Sequence, residues 1–231
     1  MTKELEILYR DEHYIAVNKP SGMLVHRTEL AEQQGEFAMM RLRDQIGQHV
    51  YTCHRLDRPT SGVLIFALSS EGGSKLQTEF AEQRLDKRYL CVVRGHTLEE
   101  GVIDKAVKSR YSKEYKTALS TYKTLEQVEL EEPVGRYNTA RYSLVEVFPK
   151  TGRTHQIRLH MKGLNHPLIG DTRYGDHRHN KVMSEKYGCH RLMLHAAEMR
   201  MRHPYTGEEV HIEAALPESF LTPLSKMGFK Y

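Results

Sequence analysis

The apolar run Val63–Leu68 follows directly on a polar run that ends in Thr60-Ser61-Gly62. A short, continuous apolar run rich in branched and aromatic residues is typical of a strand buried on both faces. The polar run before it should therefore be a loop that leads straight into the protein core. Side chains on such a loop are held rigidly, because the strand that follows is fixed by packing.

This loop, His54–Gly62, carries a single carboxylate, Asp57, between Arg55 and Arg58. A carboxylate near arginines stays ionised and is easily oriented. That suits an electrostatic anchor, and equally a nucleophile or a general base. On spacing alone, an ordinary ion pair within a loop explains these residues equally well.

Alternating apolar residues recur along the chain and predict further strands at 5–9, 14–18, 117–125, 142–148, 193–201 and 210–214. Apolar residues at helical spacing predict helices over 72–84 and 217–227, and a third helix capped by Thr154. Many short strands with few long helices indicate an α+β domain built on antiparallel sheet.

Two further runs are dense in basic and aromatic residues. Lys87–Gly95 reads as a strand whose first residues are basic and aromatic, and Lys150–His160 follows a predicted strand. Arginines, tyrosines and an aspartate at strand ends and helix starts are typical of an active site that binds a polyanion.

The three runs, in this order, resemble the RluA-type pseudouridine synthases. The resemblance rests on the segments 54–62, 87–89 and 152–158, and on further matches at 18–22, 166–171 and 192–196. It covers roughly residues 5 to 217. It implies one catalytic domain over 1–231, with a long bent mixed or antiparallel sheet, flanking helices and a central RNA-binding cleft. We expect no N-terminal S4-type domain.

The resemblance also implies roles for the candidate catalytic residues. Asp57 acts at a uridine that is flipped out of the RNA, as nucleophile or base, and Arg55 fills the gap left in the RNA. Arg153 pairs with Asp57. Tyr89 stacks on the flipped uracil and is a candidate base for the later loss of the C5 proton. Lys150 and Arg158 hold phosphates or lie behind the site.

Structural roles are the alternatives for several of these side chains. Tyr89 is also compatible with a tyrosine of the core, and the guanidinium of Arg58 with a cap of its own loop. His54 and His155 are expected to be packed and hydrogen-bonded, and neither is assigned to catalysis.

Closer similarity to the tRNA-modifying branch of the family lies in Arg43–Val50 and Arg202–Glu208. It implies the uridine at position 65 of tRNA as the substrate. The same chemistry on ribosomal RNA, and a non-catalytic RNA-binding or folding module, are the alternatives. Intact Asp57, Tyr89 and Arg153 weigh against the module, because binding alone needs no aimed carboxylate.

Composition agrees with an RNA partner without proving it. The formal charge of +4 comes from 34 basic and 30 acidic residues, which is a mild bias toward polyanions. Residues 150–178 hold six lysines and arginines against two aspartates, so this stretch alone could supply the excess.

Cysteine usage and the N-terminal sequence bear on the compartment. Three cysteines without paired spacing argue against disulfides and a structural zinc site. The N-terminal residues lack the apolar segment that is typical of a signal peptide, and no apolar stretch approaches the length of a membrane span. We therefore expect a cytoplasmic monomer acting on tRNA. The rearrangement is internal to the substrate, so we expect neither cofactor nor metal.

Two segments are ambiguous. Residues 99–138 interleave lysines and arginines with tyrosines, and a solvated surface insertion is favoured over an RNA clamp. Asp176–His179 superficially resembles a metal cluster, but a third ligand at suitable spacing is missing. A surface loop or an RNA-facing loop is favoured there.

Overall fold

The computed structural model describes residues 4–26, 37–108 and 114–231. Two compact units are formed, the first by residues 1–87 and 196–215 and the second by residues 88–195 and 216–231. In chain order the elements are β1 (Ile7–Arg10), β2 (Tyr14–Lys19), α1 (Ala38–Ile46), β3 (Tyr51–Thr52), β4 (Ser61–Ala67), α2 (Ser70–Ala81), β5 (Asp86–Arg94), β6 (Glu100–Asp104), β7 (Leu119–Leu130), β8 (Ala140–Pro149), α3 (Gln156–Gly163), α4 (His177–Tyr187), β9 (Leu194–Arg202), β10 (Glu209–Glu213) and α5 (Glu218–Lys226).

The first unit is built around β4, whose seven residues are all buried. Strands β1, β2, β4, β9 and β10 are neighbours in that order, and β3 also pairs with β4. The pairs β1–β2, β2–β4, β3–β4 and β9–β10 are antiparallel. One core cluster joins this sheet to α2 through Ile65, Leu76 and Met199. The buried strand predicted from the apolar run is confirmed.

The second unit orders its strands β5-β8-β7-β6, with antiparallel pairing throughout. Alternation along β5 places Val92 in a cluster with residues of α4 and α5, such as Met183 and Phe220. Its neighbours Cys91 and Val93 lie in a second cluster with Met161 of α3. Successive side chains of a strand point to opposite faces, so both faces of β5 are covered.

The α+β class, the predicted strands and the helices at α2, α3 and α5 are confirmed with shifts of a few residues. The three cysteines are free and buried, and burial raises the thiol pKa of Cys53 to about 12 and of Cys189 to about 11. None of the helices within the described ranges is long and apolar enough to cross a membrane. The single domain over 1–231 and the central cleft stay predictions.

Three local expectations were wrong or incomplete. Thr154 does not cap α3; the helix is preceded by His155 in the left-handed region, at φ 57°. Asp176 opens the helix α4 and accepts the amide hydrogens of Arg178 and His179, so Asp176–His179 is not a loop. Strand β6 was not predicted. Within 99–138, Arg110, Tyr111 and Lys113 lie outside the described residues.

Candidate active site

Asp57 lies on a tight turn immediately before β4. The amide of Thr60 donates to the carbonyl of Asp57 at 3.0 Å, and Thr60 and Ser61 are buried. Asp57 is half-buried, whereas Arg55 on the same loop is exposed. The turn therefore holds the backbone of the carboxylate firmly while the neighbouring guanidinium reaches solvent.

The segment after β2 ties down this turn with reciprocal hydrogen bonds. The amide of Gly22 donates to the carbonyl of Arg58 at 2.8 Å, and Arg58 Nε donates back to Gly22 at 2.9 Å. The Ser21 hydroxyl donates to the carbonyl of Pro59 at 2.7 Å. Arg58 therefore has a structural contact, as predicted, but its guanidinium binds the segment after β2 and does not cap its own loop.

Lys19 is the residue of this region that the sequence reasoning did not single out. Its side chain is fully buried, and Nζ donates to the carbonyls of Pro20, Met23 and Arg58 at 2.8, 2.9 and 3.2 Å. A buried ammonium is costly unless its donors are satisfied. These bonds connect the end of β2 to the Asp57 loop. The sequence feature that could have indicated Lys19 is its position in the segment 18–22, one of the segments that carry the family resemblance.

His54 is a packed histidine, as predicted. Its Nε2 accepts the amide hydrogen of Ile65 at 3.1 Å, and its ring stacks on Phe80 with centroids 4.6 Å apart. Burial first, and the charge of Lys87 second, lower the pKa of His54 to about 3. A neutral ring that accepts at Nε2 carries its proton on Nδ1.

Arg153 lies on the loop between β8 and α3, in the second unit. Its side chain is exposed, and Nε donates to the carbonyl of Thr117 at 3.0 Å. The guanidinium has further donors, so this one bond orients the side chain without exhausting its capacity for an anion.

Gln156 fixes that loop from the inside. It is 4% exposed, and its Oε1 accepts from the Thr151 hydroxyl at 2.6 Å and from the Arg153 amide at 3.0 Å. Its Nε2 donates to the carbonyl of Leu119 and to the hydroxyl of Ser120 at 3.0 and 2.9 Å. One buried amide thus connects the Arg153 loop to β7, while α3 begins at Gln156 without a side-chain hydrogen bond from the residue that precedes it.

Tyr89 lies near the start of β5, opposite Val147 of β8. It is half-buried and packs against the cluster that contains Cys91 and Val145. Next to it, Arg88 forms an ion pair with Glu146 at 2.9 Å. Part of the tyrosine therefore belongs to the core, and stacking on a flipped base stays a prediction for the remainder of the ring.

Lys150 and Arg158, assigned together in the sequence analysis, differ in their surroundings. Lys150 is exposed. Arg158 is 6% exposed, and its Nε and Nη2 donate to the two carboxylate oxygens of Asp171 at 2.7 and 2.8 Å. Burial alone would raise the pKa of Asp171, but the hydrogen bond from Arg158 and two backbone amides hold it below its usual value. This geometry favours the position behind the site for Arg158 over direct phosphate contact.

Each unit therefore gathers part of the predicted site. Arg55 and Asp57 share one loop of the first unit, and Tyr89, Lys150 and Arg153 belong to the second. The pairing of Arg153 with Asp57 stays a prediction.

Side chains that could bind a metal ion cluster at two places in the described residues. The carboxylate of Asp176 is engaged by the α4 amides and by Arg94 at 2.6 Å, which agrees with its expected non-metal role. Glu198, His211 and Glu213 bring ligand atoms within 4.8 Å of one another. Arg200 already donates a hydrogen bond to Glu198, so a metal ion bound by these three residues would compete with the guanidinium of Arg200. The expected absence of a metal stays a prediction.

The sequence that forms these loops matches a known protein family. The family model described as RNA pseudouridylate synthase matches residues 13–163, which include the Asp57 loop, Tyr89 and the Arg153 loop. This chain belongs to the RNA pseudouridylate synthase family. The resemblance stated from its motifs is confirmed, and so is the enzyme class, an RNA pseudouridine synthase that acts as an isomerase.

Individual relatives extend the match over nearly the full length. The tRNA pseudouridine synthase C of Vibrio parahaemolyticus is 49% identical over 227 residues, covering 94% of this chain and 92% of the relative. That of Vibrio cholerae is 48% identical over 236 residues, covering 98% and 97%. The solved structure of human RNA pseudouridylate synthase domain containing 1 is 28% identical with a TM-score of 0.73, covering 95% of this chain and 87% of the human one.

Proposed function

We propose that this pseudouridine synthase isomerises a uridine of tRNA, at position 65, to pseudouridine. The observation that carries the proposal is near-complete coverage, in both directions, by relatives that are named tRNA pseudouridine synthase C and are 48–49% identical. The closer similarity at Arg43–Val50 and Arg202–Glu208 supports the choice of position 65.

The reaction breaks the bond between uracil N1 and the ribose, turns the base and rejoins the ribose to C5. A stacked uridine must first leave the helix, at a cost of a few kcal/mol. Arg55 fills the vacated space, and its exposure on the loop of Asp57 supports this role. Asp57 acts at the flipped nucleotide as nucleophile or base, supported by a backbone that is held from β2 by Lys19.

Residues of the second unit complete the proposed chemistry. Arg153 pairs with Asp57 and keeps it ionised and aimed; its exposure on a loop that Gln156 fixes supports this. Tyr89 stacks on the uracil and assists loss of the C5 proton. Lys150, which is exposed, holds a backbone phosphate, and Arg158 supports the site from behind through Asp171.

No cofactor is required by this scheme, because no electron or group enters from outside the substrate. We propose that the enzyme acts as a cytoplasmic monomer without a metal. The central cleft of the fold is the proposed path of the RNA.

The substitution Asp57→Asn tests the proposal, because it keeps the shape of the side chain and removes its charge. Tritium release from tRNA labelled at C5 of uridine should be abolished, while tRNA affinity stays within severalfold. Loss of the catalytic group should cost well over ~3 kcal/mol in barrier height.

A matched control is Asp44→Asn, since Asp44 is an exposed aspartate of the same unit. It should release tritium at the wild-type rate. Turnover of Asp57→Asn above a hundredth of wild type would contradict the catalytic role, and absence of release by the wild-type protein would contradict the function.

A further inference from the structure

A cavity of about 420 Å³ lies in the second unit, between the end of α3 and the start of α4. Its charged lining residues are Arg94, Lys162, Asp176 and Arg178, and Tyr174 forms part of its wall. Three basic side chains against one carboxylate leave two positive charges. This cavity, called here the Tyr174 cavity, is therefore suited to an anion.

The single carboxylate is already engaged. Asp176 forms an ion pair with Arg94 at 2.6 Å and accepts the amide hydrogens of Arg178 and His179 at 3.0 and 3.4 Å. Burial alone would raise the pKa of Asp176, but these partners hold it below its usual value, so it stays ionised and balances Arg94. Lys162 and Arg178 are the cations that remain for a ligand.

Tyr174 gathers positive charge around its ring. The cationic groups of Arg158, Lys162 and Arg173 lie 5.0, 5.7 and 5.2 Å from its centroid. Cations over an aromatic face are attracted by the ring quadrupole. Because the ring already contacts three cations, it positions charge and is poorly placed to stack on a base. A phosphate is the group of RNA that this arrangement fits.

The wall of the cavity is rigid. The carboxylate of Asp171 accepts the amide hydrogens of Arg173 and Tyr174 at 2.9 Å each, and it is held in turn by Arg158. Asn180 donates to the carbonyl of Asp171 at 3.0 Å. A buried ion pair with satisfied hydrogen bonds thus fixes the backbone that carries the ring.

A direct contact joins this wall to the Arg153 loop. The Tyr174 hydroxyl lies 2.9 Å from His155 Nδ1. His155 adopts φ 57° immediately before α3, two residues after Arg153. A left-handed conformation is uncommon for a residue other than glycine and persists where contacts enforce it. The hydroxyl of Tyr174 is such a contact.

We propose that the Tyr174 cavity binds a backbone phosphate of the RNA through Lys162 and Arg178, and that Tyr174 is a positioning residue that holds the Arg153 loop through His155. The proposal rests on the proposed function for the identity of the RNA. Phosphate binding beside the tyrosine and placement of Arg153 are then coupled, so that correctly seated RNA meets an ordered arginine.

The phosphate site is tested by binding in the Asp57→Asn background, with an unmodified tRNA transcript and no turnover. Adding Lys162→Ala and Arg178→Ala should weaken binding at least tenfold. It should also reduce the slope of log K against log salt by about one, the value for one lost phosphate contact.

The matched control for binding is Lys123→Ala with Lys181→Ala, which removes two charges from exposed positions of the same unit. It should bind within twofold of its parent. Equal losses in the two double variants would overturn the phosphate site. This arm decides the cavity even if the wild-type protein forms no pseudouridine.

The positioning role is tested by Tyr174→Phe, which keeps the ring and removes the contact with His155. Binding should stay within twofold and the melting temperature should fall by only a few degrees, while the single-turnover rate at saturating tRNA falls about tenfold. Combined with Arg153→Lys, Tyr174→Phe should cause little further loss, since both act through one group. A wild-type rate, or full additivity with Arg153→Lys, would overturn the role.

Discussion

His54 is adjacent in sequence to the exposed Arg55, yet its ring is packed against Phe80 and bonded to the amide of Ile65. At the scale of single residues, this contrast separates side chains that shape the loop from those available to RNA. Because burial lowers the pKa of His54 to about 3, the folded protein keeps this ring neutral well below neutral pH.

We expect His54 to make the free energy of unfolding depend on pH. Below its unfolded pKa of about 6.5 the unfolded chain binds a proton that the folded chain excludes, so stability falls as the pH drops from about 6.5 toward 3. His54→Gln keeps an acceptor without titrating. Its free energy of unfolding, from urea titrations at pH 4 to 7, should depend on pH less steeply by about 1 kcal/mol per unit. His190→Gln, at an exposed site, serves as the control, and parallel profiles for His54→Gln and wild type would contradict the expectation.

The side chain of Gln156 accepts the backbone amide hydrogen of Arg153 and so holds that residue in place. Gln156→Leu leaves four buried or part-buried hydrogen-bonding groups without this partner. We expect a loss of about 2–4 kcal/mol in unfolding free energy and a tenfold to hundredfold lower single-turnover rate, because Arg153 is displaced. Gln127→Leu, which removes one hydrogen bond to Thr97 in the same unit, should leave the rate unchanged. A wild-type rate for Gln156→Leu would show that Arg153 is positioned otherwise.

At the scale of elements, β4 and β9 approach so closely that Gly62 has no room for a side chain. A Cβ built there would lie 2.1 Å from the carbonyl oxygen of Ala196, and φ is +110°. The Asp57 loop therefore enters β4 through a residue that must be glycine. Gly22, on the segment that braces the same loop, has φ +88° but open space around it.

Alanine substitutions at these two glycines separate steric clash from backbone strain. Gly22→Ala should cost about 1–2 kcal/mol from the left-handed conformation alone. Gly62→Ala adds a backbone clash and should lose several kcal/mol more, with β4 displaced from β9. Thermal and urea unfolding of both variants measure the difference. Equal losses would mean that the approach of the two strands is not a constraint.

At the scale of the whole molecule, the proposed substrate demands more than the reacting carboxylate. A uridine paired in a stem must lose both pairing and stacking before it reaches Asp57. Under the proposed function, basic residues distributed over 150–178, including Lys150 and the pair at the Tyr174 cavity, contact the phosphates that flank this uridine. Binding that depends on such contacts weakens steeply with salt.

Site selection is the corresponding prediction. Purified protein should form pseudouridine at position 65 of unmodified tRNA transcripts and leave ribosomal RNA fragments unreacted, as measured by mapping pseudouridine in each RNA. A transcript with position 65 changed to cytidine is the control and should remain unmodified. If a ribosomal site were modified and tRNA were not, the assignment of tRNA as the substrate would be wrong, while the proposed chemistry would stand.

The local sequence pattern was enough to predict most of the strands and the family of this protein. The continuous apolar run marked β4, alternation marked β2, β7, β8 and β9, and the motifs around Asp57 and Arg153 indicated the family that comparison then confirmed. Periodicity reports which face of an element is buried, because burial and backbone geometry share one period.

Only the tertiary structure decided where the polar side chains go. The side chain of Arg158 is buried because it forms an ion pair with Asp171. Gln156 is buried because its amide donates to Leu119 and Ser120. Lys19 is surrounded by backbone carbonyls from two segments of the chain. Each partner is remote in sequence or set by a turn that spacing does not encode. A polar residue is stable in the interior only when such partners meet it, so its burial follows from the complete fold.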